Sequence, residues 1–165
     1  MRVLGIDPGT INVGYGIVDE DGGEIIMVGY GVVKLSPKLS LERKLHTLYH
    51  KMSELVALYS PDITAIEEPF VAGNVKSAFA IGRAQAIAML VAVNSGLPVF
   101  RYLPAEVKQQ VTGYGNGSKE QVQEMVKIQL GLPGPVRSPD AADALAIAIC
   151  HIRRECYNRI VAESR

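Results

Sequence analysis

Leu4-Gly5-Ile6-Asp7-Pro8-Gly9-Thr10, running on to Gly14 and Gly16, decides how this chain folds. Val3, Leu4 and Ile6 are strand formers, and Pro8-Gly9 turns the backbone directly after Asp7. The stretch therefore reads as a strand that stops on a carboxylate. Side chains alternate along a strand, so Val3, Gly5 and Asp7 share one face while Leu4 and Ile6 share the other. Gly5 has no side chain and leaves room beside Asp7 for something to approach the sheet closely. Residues 12–18 and 24–33 follow as two more apolar, glycine-punctuated runs, which makes Asp7 the end of the first strand of a three-strand meander. A carboxylate there is either a turn residue, a role Asp favours, or a metal-binding or catalytic group. This segment alone leaves both readings open.

The chain has 165 residues, 48% of them hydrophobic, which suits one domain (1–165) with a real core and argues against a solvated tail. Seventeen Lys and Arg balance seventeen Asp and Glu, so nucleic-acid binding would have to come from a local patch. Cys150 and Cys156 form no CxxC pair and read as free thiols of a reducing compartment. No basic and apolar leader precedes the first strand, and no run of 18 uninterrupted apolar residues suggests a membrane span. The expectation is a soluble, cytoplasmic protein.

Ser36-Pro37 ends the third strand, and Ser40 can cap a helix over residues 41–59. Leu41, Leu45, Leu48, Met52, Leu55 and Tyr59 make its apolar stripe. His46 and His50 have the four-residue spacing of a metal pair, but they fall on the polar side with Lys44, Lys51 and Glu54 and no third ligand is near. A fourth strand over residues 63–67 also ends on acids, Glu67-Glu68. Alternation puts these two on opposite faces, and periodicity does not choose which one shares the face of Asp7. Residues 70–74 read as an irregular loop in which Phe70 is either a core anchor or a surface for stacking a base. A long helix over residues 76–94 follows, with Lys76 and Arg83 in its first half and many Ala and Gly residues that admit another helix, from this chain or a second copy. It is apolar nearly all round after Ala84, so burial on several sides is expected.

Residues 99–102 make a short fifth strand, and Pro104 opens a short helix that contains Lys108. Gly113-Tyr114-Gly115-Asn116-Gly117-Ser118-Lys119 is a glycine-rich loop able to approach a phosphate, without the spacing of a P-loop. Ser118 can cap a helix over residues 119–130, with Gln121 near the capping-box position. Ser138 and Pro139 open the last helix. Asp140 and Asp143 lie three apart on one face of it. Asp140 fits the dipole of a first turn. Asp143 is surrounded by an Ala- and Ile-rich run, and a carboxylate buried there needs a cation or strong hydrogen bonds.

Three acidic endpoints thus stand on separate elements: Asp7, Glu67 or Glu68, and the Asp140/Asp143 pair. Clustered carboxylates repel one another unless cations sit among them. Two Mg²⁺ ions, about 4 Å apart, would hold such a cluster and suit in-line attack on a phosphodiester. Oxygen donors without a Cys or His cluster favour Mg²⁺ over Zn²⁺, with Mn²⁺ as a substitute. The order of elements is that of an α/β protein, a mixed sheet flanked by helices.

The stretches GIDPGTINVGYGIV, AIEEPF, GNVKSAFAIGRAQ, PAEVKQQVTGYGNGSKEQVQEMV and DAADALAIAICH resemble the RuvC family of bacterial Holliday-junction resolvases over nearly the whole chain. The resemblance implies a ribonuclease-H-like fold, a mixed five-stranded sheet with helices on both faces. It implies a metal-binding catalytic tetrad of Asp7, Glu67, Asp140 and Asp143, choosing Glu67 over Glu68. Some relatives carry His where Asp140 stands, and either residue can ligate a metal. It further implies base stacking by Phe70 and phosphate contacts by Lys108 and Lys119, with Lys119 also catalytic; Lys76 and Arg83 complete the expected DNA-binding set. The implied activity is Mg²⁺-dependent, paired nicking of four-way DNA junctions in recombination and repair. The implied partners are a second copy joined through helix 76–94 and the RuvA and RuvB branch-migration proteins. The chain departs from basic relatives in its zero net charge.

Three rival readings bear on the same residues. Another ribonuclease-H-like nuclease, acting on RNA or ordinary duplex, would use the same acids. A junction-binding protein without catalysis would need a degraded acidic set, whereas all four acids are present. DPGTINVG also looks like the phosphate loop of actin-fold ATPases, which need two such domains around a nucleotide, more than 165 residues supply.

Overall fold

The computed structural model describes residues 1–68 and 75–164. The chain begins with β1 (Arg2–Asp7), β2 (Asn12–Asp21) and β3 (Glu24–Lys34), an antiparallel meander whose second and third strands run longer than their apolar cores. Helix α1 (Leu41–Tyr59) starts at Ser40, whose hydroxyl accepts from the Arg43 amide, and it returns the chain to β4 (Ile63–Glu67). Helix α2 (Val75–Asn94), β5 (Val99–Tyr102), α3 (Pro104–Thr112), α4 (Lys119–Gln129) and α5 (Pro139–Glu163) complete it. The sheet order is β3-β2-β1-β4-β5, with β4 parallel to β1 and β5 parallel to β4. Parallel pairs need crossovers, which α1 and α2 supply.

The alternation read in β1 divides the core in two. Leu4, Ile6, Val13, Ile17 and Ile66 face α1 and α2, packing on Leu48, Met52, Ala84, Ala88 and Val91. Val3, Val18 and Ala65 face α3, α4 and α5. The centre of the second layer is α5, in which every residue from Ala144 to Ile152 is buried. Leu145, Ile147, Ile149 and Ile152 are fully enclosed, each worth roughly 2–3 kcal/mol of burial. The buried Tyr102 hydroxyl and His151 Nδ1 lie 2.6 Å apart and tie β5 to this helix.

The space left by Gly5 is taken by α5. A methyl group on Gly5 would fall on the carbonyl oxygen of Ala144, and one on Gly14 would fall on that of Asp140. The glycines of the opening stretch therefore let the N-terminal half of α5 lie directly on β1 and β2.

Helix α2 corrects one expectation. Only Ala84, Ala88, Val91 and Ala92 are buried, all on one side, while Val75, Phe79, Leu90 and Val93 are about half exposed or more. Its outer side is an apolar groove lined by Val75, Ala78, Phe79, Gly82, Arg83 and Ala86. Uniform apolarity shows that a helix is suited to burial on all sides, but one chain supplies neighbours for one side only. By length and composition α2 is also the one helix among the described residues that is apolar enough to cross a membrane, yet its inner face belongs to the core beneath the sheet.

Candidate active site at the carboxyl ends of the central strands

Asp7 and Glu67 end the two central strands, which run parallel side by side. In that register Gly5 pairs with Ala65 and Ile6 with Ile66, so Asp7 and Glu67 stand next to each other on one face. Glu68 falls beyond the strand. Its amide donates to the Tyr102 carbonyl, and its carboxylate pairs with Arg101 at 3.3 Å. The register thus separates the two glutamates that alternation alone could not rank.

Asp140 and Asp143 reach the same face from above. Ser138 caps α5, Pro139 occupies its first turn, and the close approach over Gly14 sets that first turn against β2 beside Asp7. From the other side comes α4, whose first residue is Lys119. Ser118 and Gln121 form a reciprocal capping box that fixes this end, the hydroxyl accepting from the Gln121 amide and the Gln121 side chain accepting from the Ser118 amide. Lys119 Nζ then lies 2.7 Å from Asp143 Oδ2. Glu67, Lys108, Lys119 and Asp143 line one cleft of about 190 Å³, with Pro104, Val107, Val122 and Ala146 as its apolar wall.

The electrostatics follow from that crowding. Burial pushes the Asp7 carboxyl up to about 7, and the neighbouring charges of Glu67, Asp143 and Asp140 push the same way, against Lys119. Glu67 is likewise pushed up to about 7, by burial first and Asp143 second, against Lys119 and Lys108. The Lys119 pKa is raised chiefly by its hydrogen bond to Asp143. The cluster is short of positive charge, and both raised carboxyls would ionise fully beside further cations. Its donors are all carboxylate oxygens, a set that fits Mg²⁺. Among the described residues no three such groups already close around one centre; the Lys119 ammonium stands in the cluster instead.

Asp7, Glu67, Asp140, Asp143, Lys108 and Lys119 therefore meet at one end of the sheet. Lys76 and Arg83 do not enter the cleft; they lie exposed on α2, with the Arg83 guanidinium 6.0 Å from the centre of the Phe79 ring. Phe70 lies outside the described residues. His46 and His50 approach to 3.0 Å on the exposed side of α1. The sequence reading missed Gln85, whose side-chain amide donates to the Glu67 carbonyl at 3.3 Å across the β4–α2 connection. No local pattern marks such a long-range bond.

A five-stranded mixed sheet with helices on both faces, carrying acids at the carboxyl ends of its central parallel strands, defines the ribonuclease-H-like nuclease class. The family profile described as "Crossover junction endodeoxyribonuclease RuvC" matches residues 3–151. A curated relative of that name from Dehalococcoides mccartyi is 46% identical over 163 residues, covering 99% of this chain and 98% of the relative. The structure of Thermus thermophilus RuvC superposes with a TM-score of 0.88 at 33% identity, over 96% of this chain and 97% of that one. The Thermus thermophilus RuvC in complex with Holliday junction substrate gives 0.89 at 34% identity, over 94% of each chain. The chain belongs to the RuvC family of crossover junction endodeoxyribonucleases.

Proposed function

We propose that this chain, as one nuclease domain over residues 1–165, resolves four-way DNA junctions in the cytoplasm by paired, symmetric nicks in strands of like polarity. The observation that carries the reading is the convergence of Asp7, Glu67, Asp140 and Asp143 on one sheet face, opposed by Lys119. The Thermus thermophilus relative bound to Holliday junction substrate supports the choice of DNA.

Asp7, Glu67, Asp140 and Asp143 would hold two Mg²⁺ ions, with Mn²⁺ as a substitute. When bound, such ions supply an activated water and stabilisation of the leaving oxygen in phosphodiester hydrolysis. The chain's own contributions are positional. The parallel register fixes Asp7 beside Glu67, and Gly5 and Gly14 let α5 bring its acids down to them. Lys119 engages the scissile phosphate and offsets charge that develops there. Lys108, on the wall of the same cleft, engages a neighbouring phosphate. Phe70 stacks on an unpaired base near the cut, and Lys76 and Arg83 contact the backbone.

The outer side of α2 supports a homodimer. Val75, Phe79, Leu90 and Val93 leave apolar area open that a second copy would cover. Two-fold symmetry would then present two sites to the two equivalent strands of a junction. RuvA and RuvB complete the proposed assembly.

The test is cleavage of a labelled synthetic junction with Mg²⁺, beside a linear duplex and a duplex RNA of matching sequence, with Asp7→Asn as control. Paired nicks in the junction alone, absent from the control, are expected. Equal cutting of linear DNA or RNA would make this a general nuclease, and tight junction binding without cutting would make it a binding protein.

A further inference from the structure

The zero net charge conceals a sided arrangement that the topology makes visible. The antiparallel register places Asn12 opposite Lys34 and Asp21 opposite Glu24, so β3 ends at the same end of the sheet as Asp7 and Glu67. The segment leaving β3 there carries Lys34, Lys38, Arg43 and Lys44 before the second turn of α1. Lys34, Lys38 and Arg43 are exposed and Lys44 is half-buried. Among the described residues none of the four forms an ion pair. The ion pairs that other lysines and arginines make elsewhere involve Asp19, Glu20, Glu54, Glu68, Glu124 and Asp143. The one carboxylate in the stretch is Glu42, in the first turn of α1. The opposite tips of the strands are acidic, with Asp19, Glu20, Asp21 and Glu24 together and Asp62 entering β4.

Lys34 lies two strands across from Asp7, because Asp7 pairs with Gly14 and Gly14 with Val32. At the usual spacing of strands that is about 10 Å sideways, plus roughly 7 Å for the two further residues along β3. The separation is about 12 Å, the axial length of three or four nucleotides of one DNA strand. Helices α1 and α2 leave β3 and β4 at this same end and pack on each other, so the band continues toward Lys76 in the first turn of α2. A cleft that holds the scissile phosphate cannot by itself hold the duplex beyond it.

We propose that Lys34, Lys38, Arg43 and Lys44 form a second phosphate-binding band, which holds the duplex arm flanking the cut strand. The inference rests on the junction-nuclease reading and adds to it the surface that supplies DNA affinity to a chain of zero net charge. Its occupant is a DNA backbone, because lysine and arginine side chains without a carboxylate partner contact phosphates and read charge and not sequence.

The test is equilibrium binding of a fluorescent four-way junction to the full-length protein between about 50 and 200 mM salt. A variant with Lys34→Ala, Lys38→Ala, Arg43→Ala and Lys44→Ala is compared with wild type. A second variant carries Lys51→Ala and Lys127→Ala, cations already held by Glu54 and Glu124. Loss of about three phosphate contacts makes the logarithmic salt slope shallower by about 3 and weakens binding tenfold or more near ~100 mM salt. The second variant keeps the wild-type slope. Lys38→Glu with Arg43→Glu, made on the exposed surface alone, gives the larger loss. Wild-type binding with an unchanged slope in the fourfold variant overturns the band. Equal losses in both alanine variants overturn it as well, because bulk charge would then be responsible. A wild type that binds no junction removes the underlying reading and the band together.

Discussion

Lys119 Nζ and Asp143 Oδ2 lie 2.7 Å apart, and this pair joins the capped start of α4 to the first turns of α5. It sets an ammonium among the acids of the cluster, beside Asp7 and Glu67 as well as Asp143. Lys119→Ala is expected to slow single-turnover junction cleavage by about 10²–10³-fold, the usual cost of one preorganised electrostatic partner. Lys119→Arg keeps the charge and recovers part of the rate. Cleavage by the alanine variant at the wild-type rate would remove Lys119 from the chemistry.

Asp7 links the site to stability. Its folded pKa, about 7, lies above the ordinary carboxyl value, so the folded chain binds this proton more tightly than the unfolded one. The sign follows from linkage: the benefit is full below about pH 4 and is lost as pH rises through about 7. In metal-free buffer Asp7→Asn should match wild type near pH 4 and exceed it at pH 8, by a few kcal/mol at most. Thermal melts in chelator across that range measure the difference. A wild-type to variant gap that stays constant with pH would contradict it.

Divalent ions should reverse that deficit. Mg²⁺ at ten times its dissociation constant adds about 1.4 kcal/mol to a single-site protein. The wild-type melting temperature at pH 8 should therefore climb with Mg²⁺, while a variant with Asp7→Asn and Glu67→Gln stays flat. Equal climbs in both proteins would place the ion elsewhere.

Gly5 carries the approach of α5. A methyl group at this position meets the Ala144 carbonyl and lies 3.0 Å from the Ala148 side chain, and backbone on both sides leaves nothing flexible to move. Gly5→Ala should lower unfolding stability by about 3 kcal/mol in a urea titration. The same change at Gly22, which faces open space at a φ of +58°, costs only the strain of its left-handed backbone. Similar midpoints for the two variants would show that α5 does not rest on β1 as closely as described.

The outer face of α2 makes the oligomer testable. Phe79→Asp with Leu90→Glu sets charge on two exposed apolar residues outside the core. Sedimentation should show wild type at about twice the mass of one chain and the variant at one. A wild-type monomer at micromolar concentration would leave the α2 face without its proposed partner.

Much of the architecture was legible in local chemistry. The limits of β4 and α1 followed from Ser40, Ser60-Pro61 and the acids before Pro69, because caps and breakers act within a few residues. The alternation of Val3, Gly5 and Asp7 against Leu4 and Ile6 correctly divided the two layers. The reading of α2 as buried on several sides failed for one chain, since hydropathy describes what a helix can bury and not which neighbours are present.

The sequence by itself determined the acidic strand ends, the capped helices and the glycines that leave space above β1, because each depends on residues close together in the chain. Where residue patterns left the outcome open, the tertiary structure decided that Glu67 stands beside Asp7 and Glu68 does not, as the family resemblance implied, that α5 fills the space over Gly5 and Gly14, and that Lys119 meets Asp143. It also sorted an equal number of positive and negative residues so that unpaired cations stand at the end of the sheet that bears Asp7 and Glu67. The physical reason is common to all four. Periodicity fixes which side chains share a face within one element, whereas register, packing distance and the direction of a strand are set between elements far apart in sequence.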